Sequence, residues 1–388
     1  MHVLPATALL AVLPFATAAA QAAAPGAAER GAFVVTLGRD TVALEQYTRR
    51  GNVVEGDVMT RQPDVRVTHY VVTLDDRGRP TSAETRTRSA AGAPVPRMPL
   101  GATGTFRNDT VSYDLTFADS VAHRRLAAPA GTLPVVNYSY ALYEVATRRA
   151  RAAHATTDTV RLVSPGAQRA AALPLAVAGD SARLDYFGDP VFMRLDRDGR
   201  ILAVDGTRTT NKVTVARVPS VDLAALTRSF AARPAMGASS PTDSVRATLG
   251  AAQLLVVYGR PSVRGRTVWG GTLVPYGVWW RTGANAATAF RTTADLTIGG
   301  VRVPAGSYTL FTMPNAAGSQ LIISKKTGEW GTDYDASQDL ARVPLTTTPL
   351  AAPVEQFTIA VEPSGADAGV LRMRWADREL SVPVAVAR

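Results

Sequence analysis

Residues 184–210 read LDYFGDPVFMRLDRDGRILAVDGTRTT. The apolar positions fall in two short runs, VFMRL and ILAVDG, on either side of Asp198-Gly199, rather than recurring every three or four residues as in a helix. An Asp-Gly pair supplies the positive φ that a tight hairpin turn requires, so the segment predicts two antiparallel strands joined by a turn. The same grammar extends from Thr159 to Val218. Upstream, FVVTL, TVALEQYTRR, VVEGDVMTR, VRVTHYVVTL and TSAETRTR are broken by GRD, Gly51-Asn52 and DDRGR, which reads as a meander with two-residue turns at Gly51-Asn52 and Arg77-Gly78. A further β group spans Thr103–Phe117.

Two stretches break this pattern. Residues Pro134 to Arg151 place Val135, Leu142, Val145 and Ala146 at near-helical spacing and end in Arg148, Arg149 and Arg151, where cations suit a helix C-terminus. A second helix opens at Asp222-Leu223 and carries Leu226 and Phe230 along one stripe. RPAMGASSPTD then marks a linker, placed at 234–243. The expected organisation is an all-β chain. A curved antiparallel sheet or open barrel over 32–233 carries the helix, and a β-sandwich of about eight strands, compatible with a jelly roll, spans 244–388. Gly299-Gly300 is another hairpin signal in the second part.

The 388 residues begin with an apolar, uncharged run from Val3 to Ala20, and Ala18-Ala19-Ala20 before Gln21 fits a small-residue cleavage site. Residues 1–20 are therefore expected to be a signal peptide, with an uncleaved anchor as the alternative, and the mature protein to be periplasmic or secreted without a stable membrane span. The chain has no cysteine, which excludes disulfides, thiol nucleophiles and thiolate metal sites. Its four histidines, His2, His69, His123 and His154, leave the C-terminal half without one and lack ligand spacing, so neither a metal nor a cofactor is expected. The formal charge is +10, but only Lys212, Lys325 and Lys326 among the 42 basic residues are lysine. That bias reads as coding composition rather than a polyanion surface. No basic run is interleaved with aromatics, so no nucleic-acid partner is expected.

Four blocks occur in order after the linker: YGRPSVRGRTVWGG (258–271), LVPYGVWWRTGANAAT (273–288), IGGVRVPAGSYTLFTMP (298–314) and EWGTDYDASQDLARV (329–343). Together they resemble the secreted bacterial domain-of-unknown-function family 2911, over about Ser244 to Arg388. The likeness is densest at Arg260, Pro261, Ser262, Gly265 and Arg266, and at Pro275, Tyr276, Gly277, Trp280, Arg281, Thr282, Gly283, Ala284, Asn285 and Thr288. The family pattern commonly has glutamate after that asparagine, whereas this chain has Ala286.

The residues themselves support a binding reading. Arg260, Arg264, Arg266 and Arg281 are planar forks for carboxylate or phosphate. Tyr276, Trp279 and Trp280 are flat faces for a sugar or aryl ring, and Ser262, Asn285 and Thr288 add directional hydrogen bonds. The opposing reading is structural, with Trp280 in the core and Arg281 paired to Asp295 or Asp339. In an extended segment Trp279 and Trp280 point to opposite faces, so at most one is core on a given face. A rival from another class is an envelope hydrolase using carboxylates among Glu329, Asp333, Asp335 and Asp339. A third is a structural or partner-binding module. The sequence favours a non-enzymatic protein that binds a small anionic or carbohydrate ligand.

Overall fold

The structure is a computed structural model that describes residues 28–388; the expected signal peptide at 1–20 lies outside them. Eight strands come first: β1 (Glu29–Leu37), β2 (Asp40–Arg50), β3 (Val53–Thr60), β4 (Arg66–Leu74), β5 (Pro80–Ser89), β6 (Gly101–Arg107), β7 (Thr110–Thr116) and β8 (Val121–Ala127). The short β9 (Leu133–Pro134) leads into α1 (Tyr140–Ala152), and β10 (Thr157–Val163), β11 (Ala171–Ala178), β12 (Ser181–Tyr186), β13 (Asp189–Leu195), β14 (Ile201–Gly206) and β15 (Val213–Val218) follow. They form one sheet in the order β8-β7-β6-β5-β4-β3-β2-β1-β15-β14-β13-β12-β11-β10-β9. Every pairing is antiparallel except β9 with β10, which α1 joins as a parallel crossover. Alternation selects the buried face: Leu173, Leu175 and Val177 of β11 and Val191, Met193 and Leu195 of β13 enter one core with Phe33, Val35 and the buried stripe of α1.

Three local expectations are corrected. The helix begins at Tyr140 rather than near Pro134, because Leu133-Pro134 is held by Leu162-Val163 and Tyr138 takes a φ of 64° that no helix tolerates. Residues 75–79 and 196–200 are five-residue loops, not two-residue turns at Arg77-Gly78 and Asp198-Gly199. In each, the opening aspartate folds back as an acceptor. Asp75 takes the amides of Arg77 and Arg79 at 2.9 and 2.8 Å, and Asp196 those of Asp198 and Arg200 at 2.9 and 2.8 Å.

Two buried glutamates fix α1 to the sheet. Ser139 precedes the helix, but its hydroxyl donates to Glu45 of β2 at 2.6 Å instead of capping. Glu45 itself accepts from the amides of Tyr140 and Ala141 at 2.7 and 3.1 Å and from Tyr70 Oη at 2.7 Å. A carboxylate from a neighbouring strand thus satisfies the helix N-terminus. On the next turn Glu144 accepts from Ile201 N at 2.9 Å and Tyr47 Oη at 3.1 Å, and pairs with Arg217 and Arg148.

A second helix, α2 (Leu223–Ala231), is capped by Asp222, which accepts from Ala225 N at 2.8 Å. Nine strands then follow: β16 (Thr242–Leu249), β17 (Ala252–Gly259), β18 (Thr288–Thr292), β19 (Leu296–Ile298), β20 (Val301–Val303), β21 (Gly306–Met313), β22 (Ser319–Ser324), β23 (Asp339–Pro363) and β24 (Ala368–Val386). Their order is β16-β17-β18-β21-β22-β23-β24-β19-β20. The sheet is continuous. The register of the β23–β24 ribbon shifts on both sides of Val354, and such irregularities bend a strand, so both arms face one core around Trp280, Phe357 and Trp375. Among the described residues no helix is long and apolar enough to cross a membrane.

Candidate functional site

The two sheets meet at the β1–β2 hairpin. Its turn, Gly38-Arg39, docks on the 263–266 segment: Arg39 N donates to Arg264 O at 3.1 Å, and Arg264 Nη1 pairs with Asp40 at 2.6 Å. Gly38 allows this approach, since it has a φ of 60° and a Cβ there would lie 2.2 Å from the Arg264 carbonyl oxygen. Across the same junction Lys212 Nζ donates to Thr272 O at 3.0 Å, and beside it Asn285 Nδ2 donates to Ser240 O of the linker at 3.3 Å.

Between these clamps lies a cleft made of two adjoining cavities of about 670 and 190 Å3, which share Thr210, Lys212, Leu273, Trp280 and Arg281. Besides Arg208, whose guanidinium lies over the Phe192 ring at 5.5 Å, three cations line it. Lys212 comes from the position just before β15, and Arg266 and Arg281 from the loops between β17 and β18. Arg281 donates to Asn285 O at 3.3 Å, and Arg266 to the carbonyls of Val263 and Ser262 at 3.0 and 2.6 Å. Among the described residues no carboxylate forms an ion pair with any of the three, whereas Arg260 and Arg264 pair with Asp243 and Asp40. Asp189 is the acid in the lining, and burial pushes its pKa up while Lys212 and Arg281 oppose the shift. Burial first, then the charge of Arg281, lowers Lys212 to about 8. Burial, then Arg264, lowers Arg266 to about 10, and burial lowers Arg281 as well.

The backbone around this cleft is strained. Among the described residues eleven non-glycine positions have positive φ; Tyr138, Lys212 and Asn285 of these line the cleft, and Arg264 and Thr282 lie within two positions of lining residues in the chain. Thr282 is β-branched, for which a φ of 51° is a true outlier. Strain of this kind persists only where surrounding contacts impose it, and it concentrates at binding sites.

The tryptophan pair divides as an extended segment requires. Trp280 is core: its ring stacks on Trp375 at 5.6 Å and 15°, its Nε1 donates to Gly283 O at 3.1 Å, and only its edge reaches the cleft. Trp279 turns the other way. It is half-buried, packs on Phe311 and Tyr334 at 5.8 and 5.0 Å, and lines the cleft. The pairing of Arg281 with Asp295 or Asp339 does not occur, because those carboxylates are held by Arg302 and Arg342, each at 2.7 Å. Instead the Arg281 stem crosses Gly331, where a Cβ would lie 2.3 Å from its Cδ.

The structure therefore brings Arg266, Trp279, Trp280, Arg281 and Asn285 into one cleft. The other five candidates lie elsewhere. Arg260 ties Asp243 to β23, Arg264 is the inter-sheet clamp, and Ser262 bridges to Gln356. Thr288 is buried and donates to Thr282 O at 2.7 Å, and Tyr276 packs under Gly270 and Arg378. The acids of 329–339 do not converge. Asp333 pairs with Lys326 at 3.0 Å, Asp335 accepts from Ser337 Oγ at 2.7 Å and from Ser337 N at 3.0 Å, which together lower its pKa, Asp339 binds Tyr334 and Arg342, and Glu329 is buried. Lys212, Asn211 and Asp189 come from the other sheet, and sequence reasoning missed them. The scarcity of lysine was the signal available for Lys212.

A β-barrel-like protein of domain of unknown function DUF1849 from Brucella abortus is similar at 12% identity and a TM-score of 0.30, over 49% of this chain and 95% of its own. A DUF1089 family protein from Pseudomonas aeruginosa is similar at 11% identity and a TM-score of 0.28, over 42% of this chain and 89% of its own. No curated protein matches the chain. Residues 240–384 are similar to the family described as protein of unknown function (DUF2911); the match covers the C-terminal sheet, with Arg266, Trp279 and Arg281, and the N-terminal sheet stands outside it.

Proposed function

We propose that this chain is an exported, non-enzymatic binding protein that takes a small anionic ligand in the cleft between its two sheets. The observation that carries the reading is the convergence of Lys212, Arg266 and Arg281 with no carboxylate paired to any of them among the described residues. Cations desolvated together raise one another's free energy, and an anion placed among them relieves that cost. Trp279 supplies a flat apolar wall on the same side as Arg281. Export is supported by the apolar leader alone. The dispersed acids of 329–339 offer no pair of carboxylates across a common groove, so the hydrolase reading has no geometry behind it.

A thermal-shift screen of phosphate, sulfate, citrate and glucuronate against glucose tests this, because a ligand of the folded state raises its stability by mass action, about 2.7 kcal/mol at a hundredfold excess over Kd. At least one anion is expected to raise Tm, glucose is not, and the Arg281→Gln protein should lose the shift. An equal response to glucose would move the assignment to a neutral sugar.

A further inference from the structure

A cavity of about 440 Å3 opens beside the cleft, between α1 and β11–β15. That volume is within the range of roughly 300–1,000 Å3 typical of small-molecule sites. Its walls carry Tyr138, Tyr140, Tyr143, Tyr186 and Phe187 over an aliphatic floor. Among the described residues, six of the eleven tyrosine hydroxyls hydrogen-bond to protein groups and the four lining this cavity do not. Burial pushes the ionisation of Tyr138, Tyr140 and Tyr143 up, and Tyr186 pushes each of them further. The four phenol groups therefore line one space, and Tyr138, Tyr140 and Tyr143 stay neutral donors. Phe187 stands at the rim, 70% exposed, at a φ of 56°, with Tyr186 edge-on at 4.9 Å.

The cavity is not separate from the cationic cleft. Tyr138 and Asn211 line both it and the smaller part of the cleft, and Thr209 lines both it and the larger part. Aromatic faces favour a flat ring, the free hydroxyls favour oxygen on that ring, and the cations at one end favour an acid. We propose that the ligand is an oxygen-substituted aryl acid, with its ring in the tyrosine cavity and its carboxylate or phosphate at Lys212 and Arg281. This rests on the anion-binding reading of the cleft and extends it to the ligand's body.

Isothermal titration with five probes separates the two: phosphate, propionate, para-hydroxyphenylpropionate, phenylpropionate and para-ethylphenol. The hydroxylated acid is expected to bind roughly tenfold or more tighter than propionate, which lacks the ring and hydroxyl, and than para-ethylphenol, which lacks the carboxylate. Tyr143→Phe should erase its advantage over phenylpropionate. Phe187→Ala, at an exposed position that leaves folding intact, should weaken both aryl acids and leave phosphate binding in place. Equal affinities for propionate and the aryl acids would overturn the proposal while the anion reading stands, and so would para-ethylphenol binding as tightly as the acid. Failure of every anion, phosphate included, would overturn both.

Discussion

At Lys212 a strand end carries an ammonium group into a space already occupied by the Arg281 and Arg266 guanidiniums, and the consequence is a pH dependence of two opposite signs. Burial and Arg281 lower Lys212 to about 8 in the folded chain, against about 10.4 for a free lysine. Between those values the unfolded chain binds more protons than the folded one, so this group makes the free protein more stable as pH rises from about 8 towards 10. Anion binding needs the charged form and should weaken over the same window. Paired urea-unfolding and titration series across it are expected to show stability rising while affinity falls. In Lys212→Met both slopes should flatten. Trp279 and Trp280 illustrate the residue scale in another way: side-chain alternation in an extended segment separates them, one to the core and one to the cleft, and that much was readable from the sequence.

Among the elements, α1 is the one whose placement depends on buried charge. Glu45 accepts four hydrogen bonds, two from the helix N-terminus and one each from Ser139 and Tyr70. Glu45→Ala would leave these donors unpaired in a dry site and should cost about 3–5 kcal/mol, measurable by urea unfolding. Because α1 roofs the tyrosine cavity, the loss should also reduce aryl-acid binding. The turns Gly51-Asn52 and Gly299-Gly300 were legible because two-residue hairpins impose a positive φ that glycine supplies. The longer loops at Asp75 and Asp196 were not, because an aspartate folding onto amides two and four residues ahead leaves the strand pattern unchanged. Neither was the helix start, whose cap comes from a strand 95 residues earlier.

On the scale of the whole molecule, the cleft exists because one hairpin tip docks where Gly38 lets it approach the Arg264 carbonyl. The all-β class followed from alternation and turns. The C-terminal half of the cleft followed from the dense block around Arg281. The N-terminal half did not, since periodicity tells which face of a strand is apolar but not which surfaces meet when two sheets pack. Lys212 and Arg281 are 69 positions apart and belong to different sheets, and no spacing rule joins them. The central claim is that these two cations hold one anion between the sheets. The direct test is a double-mutant cycle on phosphate affinity with Lys212→Met, Arg281→Gln and the pair. Each single change is expected to weaken binding roughly tenfold, the loss of one charge-assisted hydrogen bond of about 1.5 kcal/mol, and the pair should cost less than the sum of the singles by about 0.5 kcal/mol or more. Affinities indistinguishable from the parent in all three variants, or no phosphate binding by the parent, would contradict it.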